Sequence, residues 1–390
     1  MSGQLIPPGS TIGILGGGQL GLMMAIAAKQ MGYRVHIFAP VFDSPAGQVA
    51  DLEIQASFDD LAAVEAFAKN VDVMTLETEN IPVPTVEAAS QFVNVYPGTE
   101  ALRVSQNRML EREFLSQNKI PSCRWKLIRS LDDLKAACQT LMPSVLKTTT
   151  GGYDGKGQVL IRSMADVESA WNELNAAEAI LEEWLEFDFE FSIIGARSPA
   201  GIFAAYSSIR NDHQNQILDV SYSPSGLPDE VETKAKKIVF EIMDRLDAVG
   251  VLTVEFFYRN GEVIVNEIAP RPHNSGHLTI DAHLTDQFEQ HIRAICSLML
   301  GSTRHLTPAA MANLLGELWN ECEPKWHLGM SLPNTKLHLY GKETAKPGRK
   351  MGHLTATGDS AEQAQEFVRA ARKLLAFSNL EPEKNPVSSH

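Results

Sequence analysis

Cysteine is scarce. There are four in 390 residues, Cys123, Cys138, Cys296 and Cys322, and none forms a Cys-x-x-Cys spacing. That argues against a disulfide framework or a zinc knuckle and favours reduced thiols in the cytosol. Basic charge is also short: 34 Lys and Arg face 48 Asp and Glu, a net charge of −14. Nucleic-acid and anionic-membrane binders need the opposite surplus, so neither partner is expected, although a local basic pocket for a small anion is compatible with this balance. No run approaches the roughly 20 apolar residues of a membrane span. The start, MSGQLIPPGS, lacks the charged-then-apolar pattern of a secretory leader. The sequence reads as a soluble, cytoplasmic chain.

Hydrophobic residues at 44% and charged ones at 21% describe a folded globular protein. The length suits about two to four lobes rather than one core. The first hundred residues alternate short apolar runs (TIGILG, RVHIFAP, VDVMTLETEN, VNVYPG) with helical patterns such as QLGLMMAIAAKQMG and DDLAAVEAFAKN. That is the signature of a doubly wound parallel sheet. The charged helical stretch TEALRVSQNRMLEREFLSQNKIP leads away from it into a compact α/β piece. From Glu186 longer strands with hairpin signals read as an antiparallel and mixed sheet. The tail EPEKNPVSSH has almost no apolar residues and reads as disordered. No internal repeat is visible.

Gly16, Gly18 and Gly21 satisfy the GxGxxG spacing of a dinucleotide-binding turn. Its other half is missing. The second strand ends HIFAPVFD, with Ala39 and Pro40 where a ribose-binding acid belongs and Asp43 only beyond the proline. A dinucleotide is not expected there, though the helix amides still favour an anion and Gln19 and Leu20 are placed to line a pocket.

A second glycine-rich stretch, VLKTTTGGYDGKGQVLI, does not have the GxxxxGK[ST] spacing of a Walker loop. Lys147 and Lys156 lie among Gly151, Gly152, Gly155 and Gly157, which suits a flap closing over phosphates as well as it suits an ordinary flexible hairpin. Tyr153 and Asp154 at its tip are harder to explain as filler, because an acid beside phosphates needs some role other than binding them. Further on, AILEEWLEFDFEFS gathers Glu182, Glu183, Glu186, Asp188 and Glu190. This is a solvated acidic edge, or a hinge strand that pairs with an adenine edge and offers an acid to ribose hydroxyls.

The stretch GVLTVEFFYRNGEVIVNEIAPRPHNSGH carries a hairpin signal at YRNGE. A three-residue loop, Arg259 to Gly261, makes Glu255 and Glu267 diagonal neighbours on one face; a two-residue Asn-Gly turn sets Asn266 opposite Glu255 and turns Glu267 away. Two carboxylates on one face of an apolar hairpin repel unless a divalent cation lies between them, and hard oxygen ligands suit Mg²⁺. His273 and His277 form HxxxH, but Pro270, Pro272 and Gly276 argue against a regular helix and no third ligand has zinc spacing. Finally, KLHLYGKETAKPGRKMGH collects Lys336, Lys342, Lys346, Arg349 and Lys350, either a solvated basic loop or a phosphate-monoester pocket.

In this order, LGGGQLG, TLETENIP, KTTTGGYDGKGQ, EEWLEFDFEFS, TVEFF, VNEIAPRPHNSGH and YGKETAKPGRKMGH, spanning about residues 11–357, resemble the ATP-grasp ligases. The nearest look is to the branch that carboxylates an aminoimidazole ribonucleotide in purine biosynthesis. The resemblance implies an α/β and α+β, ATP-grasp architecture: an N-terminal doubly wound domain (1–106), a small lid domain with connecting helices (107–186), a larger mixed-sheet C-terminal domain (187–380) and a tail (381–390). It implies that Arg108, Lys147, Gly152, Tyr153, Asp154, Gly155, Lys156, Gly157 and Gln158 meet the ATP phosphates, the first two from outside the loop. Glu182, Glu183, Trp184 and Leu185 would supply the adenine strand, Glu190 the ribose acceptor and His213 a further contact. Asn266 would also touch ATP, and Glu255 and Glu267 would hold Mg²⁺. Gln19, Leu20 and Glu77 would reach the imidazole nucleotide, Lys342, Arg349 and Lys350 its phosphate, and Arg271, His273 and Asn274 the bicarbonate-derived group.

The activity so implied is carboxylation of 5-aminoimidazole ribonucleotide by bicarbonate through carboxyphosphate, with Asp154, Lys342 and Tyr153 as the catalytic side chains, in a cytoplasmic homodimer. A sibling ligase, such as a formate-dependent glycinamide ribonucleotide transformylase or a biotin carboxylase-like enzyme, is the nearest alternative, and an NAD-dependent oxidoreductase the more distant one. Two positions depart from the family pattern: Leu22, where Arg is usual, and Thr148 to Thr150, where a basic residue is common.

Overall fold

The computed structural model describes residues 3–152, 155–320 and 322–376. Tyr153, Asp154 and the 381–390 tail lie outside the described residues.

Three sheets organise the chain. The first has the order Leu52–Gln55, Arg34–Ala39, Thr11–Leu15, Val73–Leu76, Val95–Tyr96, with every pairing parallel. Its central strands are apolar on both faces because helices cover both: Ile12, Ile14, Val35, Ile37 and Phe38 are fully buried. The edge strand Leu52–Gln55 went unread in the sequence because it carries no apolar run and is largely exposed.

The long charged helical stretch is two helices. Asn107 leaves the helical region at φ −131° and its side chain accepts hydrogen bonds from the Met109 and Leu110 amides, so a new helix, Arg108–Gln117, starts at Arg108. The break places Arg108 at a helix start and buries Glu111 and Arg112 one turn further in.

The second sheet is antiparallel, in the order Trp125–Ile128, Ala179–Glu183, Ser144–Thr148, Gln158–Ile161. Helices Leu131–Cys138 and Val167–Leu174 pack on it through Leu134, Ala137, Val167 and Ala170.

The third sheet runs Glu262–Ala269, Gly250–Arg259, Phe189–Arg197, Ile209–Gln214, Ile217–Ser223, Ala309–Leu315, Lys350–Thr357, Thr335–Leu339, with Phe203–Ala205 branching from Phe189–Arg197. The mixed sheet expected for this region is wholly antiparallel in its strand pairings. Tight turns set two of these pairings, Ile209–Gln214 with Ile217–Ser223 and Gly250–Arg259 with Glu262–Ala269. Asn215 and Gln216, and again Asn260 and Gly261, take positive φ and reverse the chain at once, leaving no room for a crossover helix. Helix Asp229–Arg245 packs Ile238, Val239, Ile242 and Met243 against Phe191, Ile193, Leu252 and Val254, each fully buried large apolar side chain contributing about 1.5–3 kcal/mol. Leu22 is buried in the cluster that joins helix Gln19–Gln30 to Phe288 and Ile292, an apolar environment that suits leucine. That contact seats the first sheet against the third.

Candidate active site

A cleft of about 770 Å³ opens where the three sheets meet. Its walls include Gln19, Leu20 and Glu77 from the first unit; Arg108, Lys147, Gly152, Gly155, Lys156 and Gln158; the run Glu182 to Leu185; Glu190, His213, Glu255, Asn266, Glu267, Arg271, His273 and Asn274; and Lys350. Gly157, Lys342 and Arg349 are not on the described wall.

The glycine turn near the N-terminus serves an internal acid. Glu77 reaches in from the end of the Val73–Leu76 strand and accepts from the Gly21 amide at 3.1 Å. A Cβ on Gly16 would lie 2.1 Å from Glu77 Cγ, and one on Gly18 would lie 2.6 Å from Glu77 Oε1. Glycine is required because the chain's own carboxylate occupies the anion position at the helix start. Burial raises the Glu77 pKa, against the pull of Gly21, Gly18, Arg271 and Lys342.

Beside it Arg271 makes a forked pair with Glu79, Nη2 to Oε1 at 2.9 Å and Nε to Oε2, so its guanidinium is already held by a carboxylate. Lys342 Nζ donates to the Lys350 carbonyl at 2.6 Å and lies 5.5 Å from the Tyr340 ring centre. Burial, then the Arg349 charge, lowers its pKa to about 8. Arg349 turns outward, is exposed and donates to the Thr344 carbonyl at 2.8 Å.

On the opposite wall Arg108 grips the flap itself. Its Nη1 donates to the Thr148 carbonyl at 2.9 Å and Nη2 to the Gly152 carbonyl at 2.8 Å, while its amide donates to the Thr149 carbonyl at 2.8 Å. The Thr148 to Thr150 segment thus presents carbonyls, where a basic residue was the family expectation. Gly155 and Gly157 take φ of +78° and +69°. Gln158 hydrogen-bonds Gln216 from the turn of the third sheet, which ties flap to sheet across the cleft.

Glu182 has a different environment from that of a base-facing side chain. The residue is 3% exposed, and its carboxylate is bonded to Arg112 Nε at 2.5 Å and Lys147 Nζ at 2.6 Å. Burial pushes its pKa up, but Arg112 and Lys147 together pull it down to about 2. Glu183 pairs with Arg124 at 2.6 Å. The Glu183 and Trp184 amides are taken by the Arg124 and Pro143 carbonyls. Glu190 Oε2 meets His213 Nδ1 at 2.7 Å; burial lowers the His213 pKa, but that hydrogen bond and the charges of Glu190 and Glu255 together raise it.

The acidic hairpin differs from both sequence alternatives. Arg259 pairs with Glu262, so the turn has two residues, Asn260 and Gly261, at φ of 50° and 88°. Continued without interruption, that register sets Asn266 opposite Glu255. A bulge after Glu255 absorbs Asn266, and Glu267 becomes the direct partner of Glu255. Burial and then the facing Glu267 raise the Glu255 pKa. Among the described residues no three His, Cys, Asp or Glu side chains converge as a metal cage. Two opposed carboxylates with open space for phosphate oxygens and water fit Mg²⁺, which takes few protein ligands.

His273 lies between Glu255, 3.3 Å from Nε2, and the Ser275 hydroxyl, 2.8 Å from Nδ1; burial, then Arg271, holds it well below its usual pKa and neutral. The Asn274 amide exchanges two hydrogen bonds with Asn313, at 3.0 and 2.7 Å.

Three family profiles match the sequence: a ribonucleotide synthetase preATP-grasp domain over residues 10–106, an ATP-grasp domain over 113–288 and a phosphoribosylaminoimidazole carboxylase C-terminal domain over 309–367. The N5-carboxyaminoimidazole ribonucleotide synthase of Bacillus subtilis (strain 168) is 44% identical over 357 residues, covering 91% of this chain and 93% of that one. The chain belongs to the N5-carboxyaminoimidazole ribonucleotide synthase family.

Solved members of that family share the fold. The ADP complex of a purK N5-carboxyaminoimidazole ribonucleotide synthetase superposes with TM-score 0.89 at 45% identity, covering 94% of this chain and 97% of that one. An Aspergillus clavatus synthase in complex with ADP and the aminoimidazole ribonucleotide gives 0.85 at 29% identity, over 94% and 98% of the two chains. The protein is therefore an ATP-dependent ATP-grasp ligase of the synthase family, which removes the sibling ligases and the oxidoreductase from consideration.

Sequence reasoning missed Glu79, Glu111, Arg112, Gln216 and Asn313. Glu79 lies in the turn after the Val73–Leu76 strand and Arg112 in a helix charged along its length, so neither stood out locally. Glu111, Gln216 and Asn313 become partners only through the tertiary fold.

Proposed function

We propose that this cleft binds ATP, bicarbonate and 5-aminoimidazole ribonucleotide together and forms N5-carboxyaminoimidazole ribonucleotide, ADP and phosphate. The observation that carries this reading is the convergence on one cleft of the Lys147 flap, the opposed Glu255–Glu267 pair and the Glu77–Arg271–Lys350 group. Bicarbonate is a weak nucleophile and its carbon a poor electrophile, so phosphorylation must precede carboxylation. A bicarbonate oxygen attacks the γ-phosphorus and the bond to the β-phosphate oxygen breaks, giving carboxyphosphate and ADP. The exocyclic amine then bonds to the carboxyl carbon, or to CO2 released from it, and phosphate leaves.

In this reading Lys147, held by Glu182, and Arg108 with the flap residues Gly152 to Gln158 receive the phosphates. Leu185, next to the amides already engaged, meets the adenine edge, with Trp184 alongside. Glu190 with His213 takes the ribose. Glu255 and Glu267 would hold Mg²⁺, which when bound offsets charge on the phosphate oxygens. Gln19, Leu20 and Glu77 face the imidazole nucleotide, and Lys350, with Lys342 behind it, its phosphate. Arg271, His273 and Asn274 surround the bicarbonate. Asp154, assisted by Tyr153, accepts the amine proton, and exclusion of water from the cleft protects carboxyphosphate. The reading extends to a homodimeric, cytoplasmic enzyme.

The test is phosphate release from ATP and bicarbonate. Release is expected to require aminoimidazole ribonucleotide and to ignore glycinamide ribonucleotide; release driven equally by the second nucleotide would contradict this substrate assignment.

A further inference from the structure

Four charged side chains form a continuous ion chain along one wall of the cleft, and no binding role accounts for two of them, Glu111 and Arg112. Arg112 is 2% exposed, and Glu111 and Glu182 are each 3% exposed. Arg112 Nη1 bonds Glu111 Oε1 and its Nε bonds Glu182 Oε1, each at 2.5 Å, and Lys147 closes the far end at 2.6 Å. Burying so much charge brings little net stability, since an apolar cluster of the same volume generally does as well. The contacts at the other end of the chain indicate a different use.

Arg112 Nη2 donates to the Asn266 carbonyl at 2.6 Å, and Glu111 Oε2 accepts from the Ile268 amide at 2.9 Å. These two backbone groups flank Glu267. Asn266 is the residue absorbed by the bulge, where the strand ladder is interrupted and cannot by itself hold the carbonyl. Among the described residues no side chain bonds the Glu267 carboxylate, so its direction is set by the backbone on either side. Without the bulge Glu267 would point to the opposite face of the sheet.

We propose that Glu111 and Arg112 are positioning residues: by gripping the backbone on both sides of Glu267 they fix the bulge that turns its carboxylate toward Glu255, and through Glu182 they tie that geometry to Lys147. One helix turn thereby sets the spacing between the cation-binding acids and the phosphate-binding lysine. The inference rests on the reading of Glu255 and Glu267 as magnesium ligands.

The experiment titrates Mg²⁺ into the full-length protein with adenylyl imidodiphosphate, a non-hydrolysable ATP analogue, and follows nucleotide affinity by calorimetry. In Arg112→Lys a compact ammonium cannot reach Glu111, Glu182 and the Asn266 carbonyl at once. The Mg²⁺ concentration for half-maximal tightening is expected to rise by about 10- to 100-fold, the usual penalty for losing support behind a metal ligand. Glu111→Gln keeps the shape but loses one accepted bond, and is expected to shift the same quantity in the same direction by less. It decides the matter if Arg112→Lys does not fold. Folded variants with wild-type Mg²⁺ half-saturation, or with affinity lowered equally with and without Mg²⁺, overturn the proposal and leave a structural ion cluster. A wild-type protein whose nucleotide affinity ignores Mg²⁺ overturns the metal assignment itself.

Discussion

Replacing Glu267 with glutamine is expected to reduce ATP-dependent phosphate release by about 10²- to 10³-fold, the scale of removing one electrostatic group from a charged transition state. The amide matches the carboxylate in shape, so folding is retained. The loss should fall mainly on the Mg²⁺ requirement, and Glu255→Gln should behave alike because the two acids are direct cross-strand partners. Initial rates across a Mg²⁺ series measure it. Unchanged magnesium dependence in both variants would mean that the hairpin acids have another purpose.

The largest stability effect is expected at Glu182. Glu182→Leu leaves Lys147 without its partner and Arg112 with Glu111 as its only carboxylate, in a site where Arg112 and Glu111 are nearly enclosed. Removing one member of a buried pair typically costs about 3–5 kcal/mol. Denaturant unfolding followed by tryptophan fluorescence reads it well, because Trp125 is the cross-strand partner of position 182. The effect depends on pH in a defined sense. Glu182 sits at about 2 in the fold against 4.5 for an ordinary glutamate, so its contribution is complete above 4.5 and is lost as pH falls toward 2. The gap between wild type and variant should therefore narrow in acid. A constant gap from pH 7 to 3 would show that the carboxylate is not ion-paired as described.

How far the sequence could be read depended on the range of the interactions. The Asn260–Gly261 turn is written in two adjacent residues, and a two-residue turn was one of the two readings. The bulge that brings Glu267 to Glu255 is written elsewhere: the Glu111 bond to Ile268 spans 157 positions and the Arg112 bond to Asn266 spans 154. No local pattern contains it. The break at Asn107 is a capping event inside a stretch whose composition is helical throughout, so charge and periodicity passed over it. The glycine turn was legible as an anion site, and the missing acid on the next strand argued against a dinucleotide. That the anion is Glu77, from a strand about sixty residues on, required the fold. Arg349 shows the limit of reading clusters: five basic residues between positions 336 and 350 fall on two strands and the loop between them and do not all face one way, and this one turns out to solvent.

The central claim is that the triphosphate lies between the glycine flap and the acidic hairpin. A crystal structure with adenylyl imidodiphosphate and Mg²⁺ tests it most directly. The account predicts phosphates beside Lys147 and a cation bridging them to Glu255 and Glu267; nucleotide on the Gly16–Gly21 turn, or a cation touching neither acid, would contradict it.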